Sequence, residues 1–407
     1  MSDIAASTPE IDDRRARKAV WILVWGQSVL GAQMPVHFIL GGLVGQMIAH
    51  DPAFATLPIS MTVLGTMLMA PFMSSLMDRW GRRTGFVFGA LTAALAALIA
   101  TYAIEAKDFV MFCGASLLLG VYMSAHGFYR FAATDLASPE FRPKAISWVM
   151  AGGLAAAVIG PQVVKEFEDW LAPIPFAGAY QALIVLNLIG VIPMLFLDIP
   201  VRDRAAAKNA PTGRPMREIL RDSKIVVAML CAMISYALMN LVMTSTPLAM
   251  IACGFETGDA AEVVSLHVLA MFAPSFFTGP LIVRFGAERI IAVGLLMLAL
   301  CAAVAVAGIT FAHFGAALIL LGLGWNFGFI GATALLTAAH KPEERAKVQG
   351  LNDFLVFGLV TVASFSSGAL MAGVGWSAVN VAMLPLLAIA AAALAWQALQ
   401  SRRAKFI

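Results

Sequence analysis

The sequence predicts an all-α integral membrane protein, with twelve transmembrane helices arranged as two six-helix parallel-repeat bundles around a central cavity. The prediction comes from an apolar composition, a series of long apolar segments, and a polar motif that recurs about half a chain length apart. Of the 407 residues, 60% are hydrophobic and only 13% are charged, and the mean hydropathy is +0.85. A soluble domain is about half apolar and about a quarter charged, so this composition excludes a soluble domain.

Each predicted helix is an apolar segment long enough to cross the hydrocarbon core of a bilayer, which takes about 20 helical residues. Continuous apolar character, without the alternation of a barrel strand, favours helices, because a helix satisfies its own backbone hydrogen bonds in lipid. In chain order, the predicted spans cover residues 20–49, 56–76, 84–104, 108–134, 145–165, 175–197, 224–253, 261–283, 288–310, 313–338, 350–373 and 376–398.

The basic residues fall on one side of the membrane in this topology. If the N-terminus is cytoplasmic, the two tails and the inside loops hold 24 of the 27 Lys and Arg residues, and the exceptions are Lys107, Arg130 and Lys165. This asymmetry agrees with the positive-inside rule. We therefore expect both termini to be cytoplasmic and the protein to lie in a cytoplasmic (inner) membrane. The net charge of +3 is then a topology signal and gives no reason to expect nucleic-acid binding.

Polar segments divide the chain into five parts. The midpoint stretch "VRDRAAAKNAPTGRPMREILRDSK" contains Pro, Gly and seven basic residues, which is typical of a linker. The predicted parts are a cytoplasmic tail over 1–19, a six-helix bundle over 20–200, a cytoplasmic linker over 201–223, a second six-helix bundle over 224–400 and a cytoplasmic tail over 401–407.

Two polar motifs recur in the second half at nearly the same offset. A shift of 205 residues lays "SSLMDRWGRR" (74–83) on "GPLIVRFGAE" (279–288), and a shift of 203 lays "PEFRPKA" (139–145) on "PEERAKV" (342–348). Two matches in the same order predict a duplicated six-helix unit. Because six is even, both copies enter the membrane in the same orientation, which gives parallel repeats related by an axis along the membrane normal.

Twelve spans, a central basic linker and the stretch after the second span together resemble the major facilitator superfamily of secondary transporters, whose signature there reads G-x-L-A-D-R-x-G-R-R. The matching residues of this chain are Leu76, Asp78, Arg79, Gly81, Arg82 and Arg83. Two departures are that Ser74 replaces the first glycine and that Val283 stands where the second copy should carry the acid. The resemblance implies a monomeric transporter of a small-molecule substrate that works by rocker-switch alternating access, without a cofactor.

The motif after the second span predicts a latch that closes the cytoplasmic side in the outward-facing state. Gly81 permits a tight turn, and Asp78 can face the positive N-terminus of a neighbouring helix, which in the family is the eleventh. Arg82 or Arg83 can pair with Asp135. Plain anchoring of the loop by its arginines is the alternative. The predicted latch set is Asp78, Arg79, Gly81, Arg82, Arg83, Asp135, Arg142, Arg284, Gly286, Glu343 and Arg345.

A second motif lies in the fifth span, where "AGGLAAAVIGP" aligns small residues. It is similar to the family's fifth-helix motif associated with antiporters, in which small residues allow close packing and proline kinks the helix. The motif residues are Gly152, Gly153, Gly160 and Pro161. A packing face without an exchange function is the alternative interpretation.

Polar residues within the spans are the candidates for substrate contact, because each is costly in lipid and should face a cavity or a partner. Several form pairs at helical spacing on the first, fourth, seventh and tenth spans, which line the central cavity in the family. The candidates are Gln33, His37, His126, Arg130, Tyr236, Asn240, Trp325 and Asn326. An interhelical hydrogen bond is the alternative role for the histidines and amides.

Arg130 suggests a substrate class. It is the one basic residue placed within a span and away from its ends, and beside His126 it would make the inner part of the site positive. A planar guanidinium matches a carboxylate or phosphate, so we expect a small organic anion or an acid-bearing compound. Snorkelling towards the inner surface, or pairing with Asp135, is the alternative.

Proton coupling stays open from the sequence alone. Deep carboxylates are missing from the cavity-lining spans, so His126, His37 and, near the inner end of the eleventh span, Asp353 are the candidate proton carriers. The chain has no phosphate-binding glycine loop, zinc-protease motif or nucleophile triad, and its four cysteines lack metal-site spacing, so we expect neither an enzyme nor a metal site. The alternative functions are efflux of hydrophobic compounds by proton antiport, and a non-transporting sensor or assembly factor.

Overall fold

The computed structural model describes residues 13–138, 141–200 and 213–403, and the regular elements in these ranges are helices. Ten of the described helices are long and apolar enough to cross a membrane, and a bent pair makes an eleventh. One of the ten contains two spans, because Gly81 interrupts its helical geometry. The described chain therefore has the twelve predicted spans, which we name α1 to α12, and the predicted fold class is confirmed.

Six of these spans form the N-terminal half. Their bounds are Asp13–Ile48 for α1, Leu57–Glu105 for α2 and α3 together, Phe109–Ala132 for α4, Arg142–Phe167 for α5 and Ala177–Met194 for α6. A 3-10 turn at Leu30–Ala32 interrupts α1, and the last turn of α4, Tyr129–Ala132, is separate from the rest of that helix. Both irregularities lie near the middle or inner part of the half.

The other six spans form the C-terminal half. Their bounds are Ser223–Ala252 for α7, Thr257–Phe272 with Ser275–Phe285 for α8, Ala287–Ala307 for α9, Phe311–Ala339 for α10, Arg345–Val374 for α11, and Trp376–Val381 with Met383–Arg403 for α12. The two parts of α8 are bent by 41°, and α10 contains a π-helical segment at Asn326–Ile330.

The first helix begins earlier than the sequence predicts. It already includes Asp13, the first described residue, which lies within the predicted tail, and tertiary contacts hold these first turns. The Asp13 carboxylate accepts hydrogen bonds from the Ser138 backbone N–H (3.0 Å) and hydroxyl (2.9 Å), and Arg15 pairs with Asp198. These partners lie in the loop after α4 and at the end of α6, so the amphipathic start of α1 is attached to its own half.

The predicted linker and C-terminal tail are partly outside the described residues. Of the linker, 201–212 lies outside them, and the remainder contains a short helix at Met216–Ile219. Of the tail, 404–407 lies outside them, and α12 continues to Arg403, beyond the predicted end of the span at 398.

The two copies of the glycine motif share one backbone conformation. Gly81, between α2 and α3, has φ 87° and ψ 161°, and Gly286, between α8 and α9, has φ 88° and ψ 149°. Residues with a Cβ rarely adopt this region, so the repeated glycine is required by the turn. The same turn at the same place in each half agrees with the predicted duplication.

The small residues of the fifth-span motif pack α5 against α1. A Cβ added at Gly152 would lie 2.7 Å from the Val24 carbonyl oxygen, and one at Gly160 would lie 2.6 Å from the Ala32 carbonyl oxygen. The helices therefore approach with backbone against backbone, as small residues allow in membranes. Pro161 lies inside the continuous helix Arg142–Phe167.

We expect the substitution Gly286→Ala to lower the free energy of unfolding by about 1–3 kcal/mol, the usual cost of a strained backbone conformation. Space is not the reason, because the added Cβ would contact only a Glu288 oxygen, at 3.7 Å. Thermal unfolding in detergent measures the effect. Gly279→Ala is the matched control, since that glycine also has open space around it but lies within a regular helix. Equal effects of the two substitutions would contradict the backbone explanation.

Candidate substrate site

The two halves are joined at one end of the bundle. We call the end that carries Arg82 and Arg214 the basic face, and the end that carries His50 the opposite face. Within the described part of the chain, three hydrogen bonds and one ion pair join the halves. They are Thr56 Oγ1 to Ser364 O (3.2 Å), Ser60 Oγ to Ser364 Oγ (2.9 Å), Ser265 Oγ to Ala157 O (2.7 Å) and Lys165 to Glu262 (3.8 Å). All four lie towards the opposite face, so the halves close there.

Towards the basic face, no hydrogen bond or ion pair joins the halves in the described residues, and we infer that the cleft between them opens there. Arg130, at the inner end of α4, and Asp353, near the start of α11, are both exposed and belong to different halves. The two charges interact electrostatically, but they are too far apart to form an ion pair. Arg130 also acts on Tyr236 of α7 through its charge, so all three side chains border the same cleft.

An aromatic cluster forms the C-terminal wall of the cleft. The rings of Trp325 and Phe329 are stacked, with centroids 5.4 Å apart and planes 15° from parallel. Tyr236 meets both edge-on, at 5.5 Å and 5.1 Å. The ring centroid of Phe357 lies 5.9 Å from that of Tyr236, and the ring centroid of Phe272 lies 6.4 Å from that of Trp325. We call these five residues the aromatic cluster. Trp325 is 7% exposed, whereas Tyr236 and Phe329 are partly exposed, so these two rings are the ones accessible to a planar ligand.

The π-helical segment of α10 places this cluster beside the bend of α8. Asn326, the first residue of that segment, donates to Met271 O (2.6 Å) and Ser275 Oγ (2.8 Å) and accepts from Thr278 Oγ1 (2.7 Å). Three of the four hydrogen bonds that an amide can make are therefore used to hold the bent helix. The structure places Asn326 in this helix contact, whereas Trp325 lies in the cluster. Single π-helical turns are frequent at functional sites.

A second cluster lies in the N-terminal half, around His126 of α4. Its ring centroid is 5.6 Å from that of Tyr122 and 5.0 Å from that of Tyr129. His126 Nε2 is buried without a hydrogen-bond partner, and it would lie 3.3 Å from a Cβ added at Gly31. Gly31 belongs to the 3-10 turn of α1, so an interrupted helix adjoins the unpartnered nitrogen. Interrupted helices at the membrane midplane form substrate sites in secondary transporters.

Gln27 connects the two clusters and was not among the residues singled out from the sequence. It lies in α1, before the 3-10 turn, and its amide makes no hydrogen bond in the described part of the chain although only 6% of the residue is exposed. A Cβ added at Gly153 would lie 3.5 Å from Gln27 Nε2 and 3.3 Å from the Phe272 ring. The amide therefore lies where the two halves meet. An uncharged amide in an apolar span was the signal available in the sequence.

Gln33 and His37, the candidates on α1, are paired inside the N-terminal half. Gln33 exchanges two hydrogen bonds with Asn187 of α6, at 3.2 Å and 3.3 Å. The His37 ring bonds Tyr180 Oη at 3.1 Å and Thr62 Oγ1 at 2.9 Å. Both residues are almost fully buried. These contacts join α1 to α2 and α6, and they leave neither His37 ring nitrogen free.

Tyr236 and Asn240 lie four residues apart on α7, as the sequence indicates. Tyr236 belongs to the aromatic cluster. Asn240 is 1% exposed, and its Nδ2 has no hydrogen-bond partner. Trp325 Nε1 is also buried without a partner. The C-terminal wall therefore combines an aromatic surface with unused donors, which is the usual composition of a small-molecule site.

The predicted latch residues lie at the basic face. Arg82 Nε donates to Asp135 Oδ2 at 2.9 Å, so of the two predicted arginines it is Arg82 that pairs with this acid. Asp135 therefore pairs with Arg82 and not with Arg130. Arg130 instead stacks on Phe131, with its guanidinium 4.8 Å from the ring centroid. This ion pair lies within the N-terminal half.

The remaining predicted latch residues make fewer contacts. Asp78 and Arg79 are exposed, and no hydrogen bond or ion pair in the described part of the chain involves Asp78. Arg284 lies over the Phe285 ring at 5.2 Å. The side chains of Arg142 and Arg345 are outside the described residues. A latch between Asp78 and α11 is therefore not formed in this conformation, which is open at the basic face.

The loop between α10 and α11 contains a buried acid that the sequence did not single out. Glu343, the predicted residue, is exposed, whereas its neighbour Glu344 is fully buried. Glu344 accepts hydrogen bonds from Arg214 Nε (2.5 Å) and from the second guanidinium nitrogen (2.9 Å). These hydrogen bonds lower the pKa of Glu344 to about 2. The linker is thus attached to the C-terminal half.

Two six-helix bundles with a polar and aromatic cleft between them define a secondary transporter. A family model described as "Major Facilitator Superfamily" matches residues 19–261 and 228–405. The chain belongs to the major facilitator superfamily. It is therefore an integral membrane transporter, as the sequence predicted, and not an enzyme.

Two relatives match nearly the whole chain. "Riboflavin transporter RfnT" of Brucella anthropi is 44% identical over 378 residues, which are 93% of this chain and 95% of that protein. An MFS-type transporter of Bacillus subtilis, YddS, is 30% identical over 400 residues, which are 94% of this chain and 92% of that protein.

Solved structures show the same fold at low sequence identity. The nucleoside transporter NupG has a TM-score of 0.69 at 13% identity and covers 94% of this chain and 97% of its own. The human organic anion transporter MFSD10 (TETRAN) has a TM-score of 0.65 at 15% identity and covers 93% of this chain and 99% of its own. At these identities, the likeness extends to the fold alone.

In the present conformation, the Asp78 side chain makes no hydrogen bond or ion pair in the described part of the chain, so we expect Asp78→Asn to leave thermal stability unchanged. We expect the substitution to weaken the alternate conformation by about 1 kcal/mol, a helix-terminus charge effect. The reporter is Leu248→Cys in a chain whose four native cysteines are replaced by alanine. Leu248 is 4% exposed and packs on Gly42 of the other half, so its labelling requires opening at the opposite face.

Asp78→Asn should slow this labelling about fivefold, since 1 kcal/mol corresponds to that factor. Asp169→Asn, which removes an exposed acid at the opposite face, is the control. Unchanged labelling in Asp78→Asn would show that Asp78 has no latch function.

We expect Glu344→Gln to lower the melting temperature by an amount that depends on pH. An unfolded Glu has a pKa of about 4.3, and the folded pKa is lowered to about 2 by Arg214. The charge of Glu344 therefore contributes stability that is fully present above about pH 4.3 and is lost as pH falls towards 2. The difference in melting temperature from wild type should be constant between pH 7 and 5 and should shrink below pH 4. Glu343→Gln, at the exposed neighbour, should show little difference at any pH; equal behaviour of both variants would refute the assignment.

Proposed function

We propose that the protein moves riboflavin, or a closely related flavin, across the cytoplasmic membrane by alternating access. The observation that carries the proposal is the aromatic cluster, which contains the unpartnered Trp325 Nε1 and whose Tyr236 lies on α7 four residues from the unpartnered Asn240 Nδ2. Riboflavin combines a planar three-ring system, which can stack, with carbonyl, N–H and hydroxyl groups, which need hydrogen-bond partners. The likeness to a riboflavin transporter over nearly the full length supports this substrate.

The proposed substrate replaces the small organic anion that Arg130 suggested from the sequence. Riboflavin carries no acidic group that is ionised at neutral pH. Arg130 faces the carboxylate of Asp353 across the cleft, so the positive charge that suggested an anion is offset by a negative one. An aromatic surface with donors fits a neutral, planar compound better than a small anion. The same observations favour flavin transport over efflux of hydrophobic compounds and over a sensor role.

The proposal assigns the basic face to the cytoplasm, because the positive-inside rule places Lys and Arg there. Both termini are then cytoplasmic, and the described conformation is open to the cytoplasm. Rocking of the halves would close the cleft at Arg130 and Asp353 and separate the halves at Ser364, which gives access from the other side. Of the candidate proton carriers, His126 and Asp353 border the cleft, whereas both ring nitrogens of His37 are engaged in hydrogen bonds.

Riboflavin transport is tested in a riboflavin auxotroph that expresses the protein, with uptake of labelled riboflavin as the measurement. Trp325→Ala removes half of the stacked pair and should weaken flavin binding about tenfold or more, since a stacked aromatic contact adds to the apolar burial of its ring. In purified protein, quenching of flavin fluorescence reports the binding directly.

Trp396→Ala is the matched control, because Trp396 is 49% exposed on α12, away from the cleft. It should leave both uptake and binding unchanged. If cells that express the protein neither import nor export riboflavin faster than cells with the empty vector, the proposed substrate is refuted. An equal loss in both tryptophan variants would refute the proposed site.

A further inference from the structure

Gln27 is a mostly buried residue whose amide has no hydrogen-bond partner in the described part of the chain, although a partnered amide exists in the same helix. Gln33 exchanges two hydrogen bonds with Asn187, at 3.2 Å and 3.3 Å. Gln27, which is 6% exposed, has none in the described part of the chain. The amide atoms of Gln27 are not fully enclosed, unlike His126 Nε2 and Trp325 Nε1. An accessible, unpartnered amide at the junction of the halves is available to hydrogen-bond a ligand there.

The surroundings of Gln27 fix its side chain in place and leave its amide end open. A Cβ added at Gly152 would lie 2.9 Å from Gln27 Cβ and 3.1 Å from Cγ, so the bare α5 backbone holds the stem of the side chain. The amide nitrogen is 3.9 Å from the Cβ position of Gly31 and 3.5 Å from that of Gly153. Around the amide there are therefore glycine backbones, where no side chain competes for its hydrogen bonds.

The two glycines next to the amide belong to the N-terminal half, but one of them also borders the opposite wall. The Cβ position of Gly31 that lies next to Gln27 Nε2 is also 3.3 Å from the unpartnered His126 Nε2. The Cβ position of Gly153 that lies next to the same nitrogen is 3.3 Å from the Phe272 ring, which belongs to the aromatic cluster. A planar ligand stacked on the cluster would thus present its edge to Gln27.

We propose that Gln27 is a specificity-determining residue that reads the imide edge of the isoalloxazine ring, that is, the N–H at position 3 and a carbonyl next to it. The inference rests on the proposed function, which it deepens. An amide carries a donor and an acceptor side by side in one plane, and so does the N–H and carbonyl edge, so the two can form a pair of hydrogen bonds. Stacking holds any flat ring, whereas this pair selects the ring that carries an imide.

The test compares two ligands on the purified full-length protein, riboflavin and 3-methylriboflavin, in which a methyl group replaces the hydrogen of the N–H. Flavin fluorescence quenching gives the dissociation constants. Wild type should bind riboflavin about tenfold more tightly than the methylated ligand, since a site built around a hydrogen bond rejects the analogue that lacks it. Gln27→Met, similar in shape but without the amide, should weaken riboflavin binding about tenfold and should bind both ligands equally.

Gln46→Met is the matched control, because Gln46 lies on the same helix but is exposed. It should keep the wild-type preference for riboflavin. Binding of 3-methylriboflavin by Gln27→Met at the wild-type level would also show that this variant is folded. Three results would overturn the inference: loss of both ligands by the same factor in Gln27→Met, loss of all binding in that variant, or a wild type that binds the two ligands equally. Failure of wild type to bind either flavin would instead overturn the proposed function itself.

Discussion

The structure depends on one constraint: within the bilayer core, water is not available to satisfy a polar group, so each must find a partner in the protein or face the cleft. The described side chains divide according to this rule. Gln33 and His37 are paired between helices of the N-terminal half, and Asn326 is paired within the C-terminal half. Gln27 and His126 Nε2 have no partner in the described part of the chain, and Gln27 lies where the halves meet. Among these five residues, those that join helices within a half are hydrogen-bonded, whereas Gln27 and His126 Nε2 are not.

The spans and the duplicated turn could be predicted because they depend on local properties of the chain. Twenty apolar residues must span the core wherever they occur, and a glycine after a helix permits a backbone conformation that other residues avoid. Gly81 and Gly286 adopt this conformation in both halves. The start of α1 at Asp13 depends on Ser138 and Asp198, which are distant in sequence, so no local signal marked it. The bend of α8 did have a local signal, since Pro274 lies at the break.

The sequence allowed us to predict which types of residue form the site, but not which individual residues do. Gln27 and Gln33 belong to one span, and at about 100° per residue six positions bring them to different faces of α1. The amide on one face of α1, that of Gln33, is hydrogen-bonded because Asn187 of α6 lies opposite it. The position of Asn187 relative to α1 cannot be obtained from the spacing of residues along the chain. Trp325 and Asn326 show the same limit, since adjacent residues point to different neighbours, one to the aromatic cluster and one to α8. Periodicity gives relative faces within a helix, whereas function depends on what each face meets.

Duplication gives the two halves the same turns but different walls. The N-terminal wall has His126 and Gln27, and the C-terminal wall has the aromatic cluster. A ligand with a flat face and a polar edge needs such unequal walls, so it contacts both halves at once. The halves themselves are joined by three neutral hydrogen bonds and one partly exposed ion pair in the described part of the chain. Each contributes about 1 kcal/mol or less. Apolar packing between the halves, such as that of Leu248 against Gly42, adds to these interactions. A ligand shifts the equilibrium between conformations only by the difference in its contacts with the two walls in each conformation.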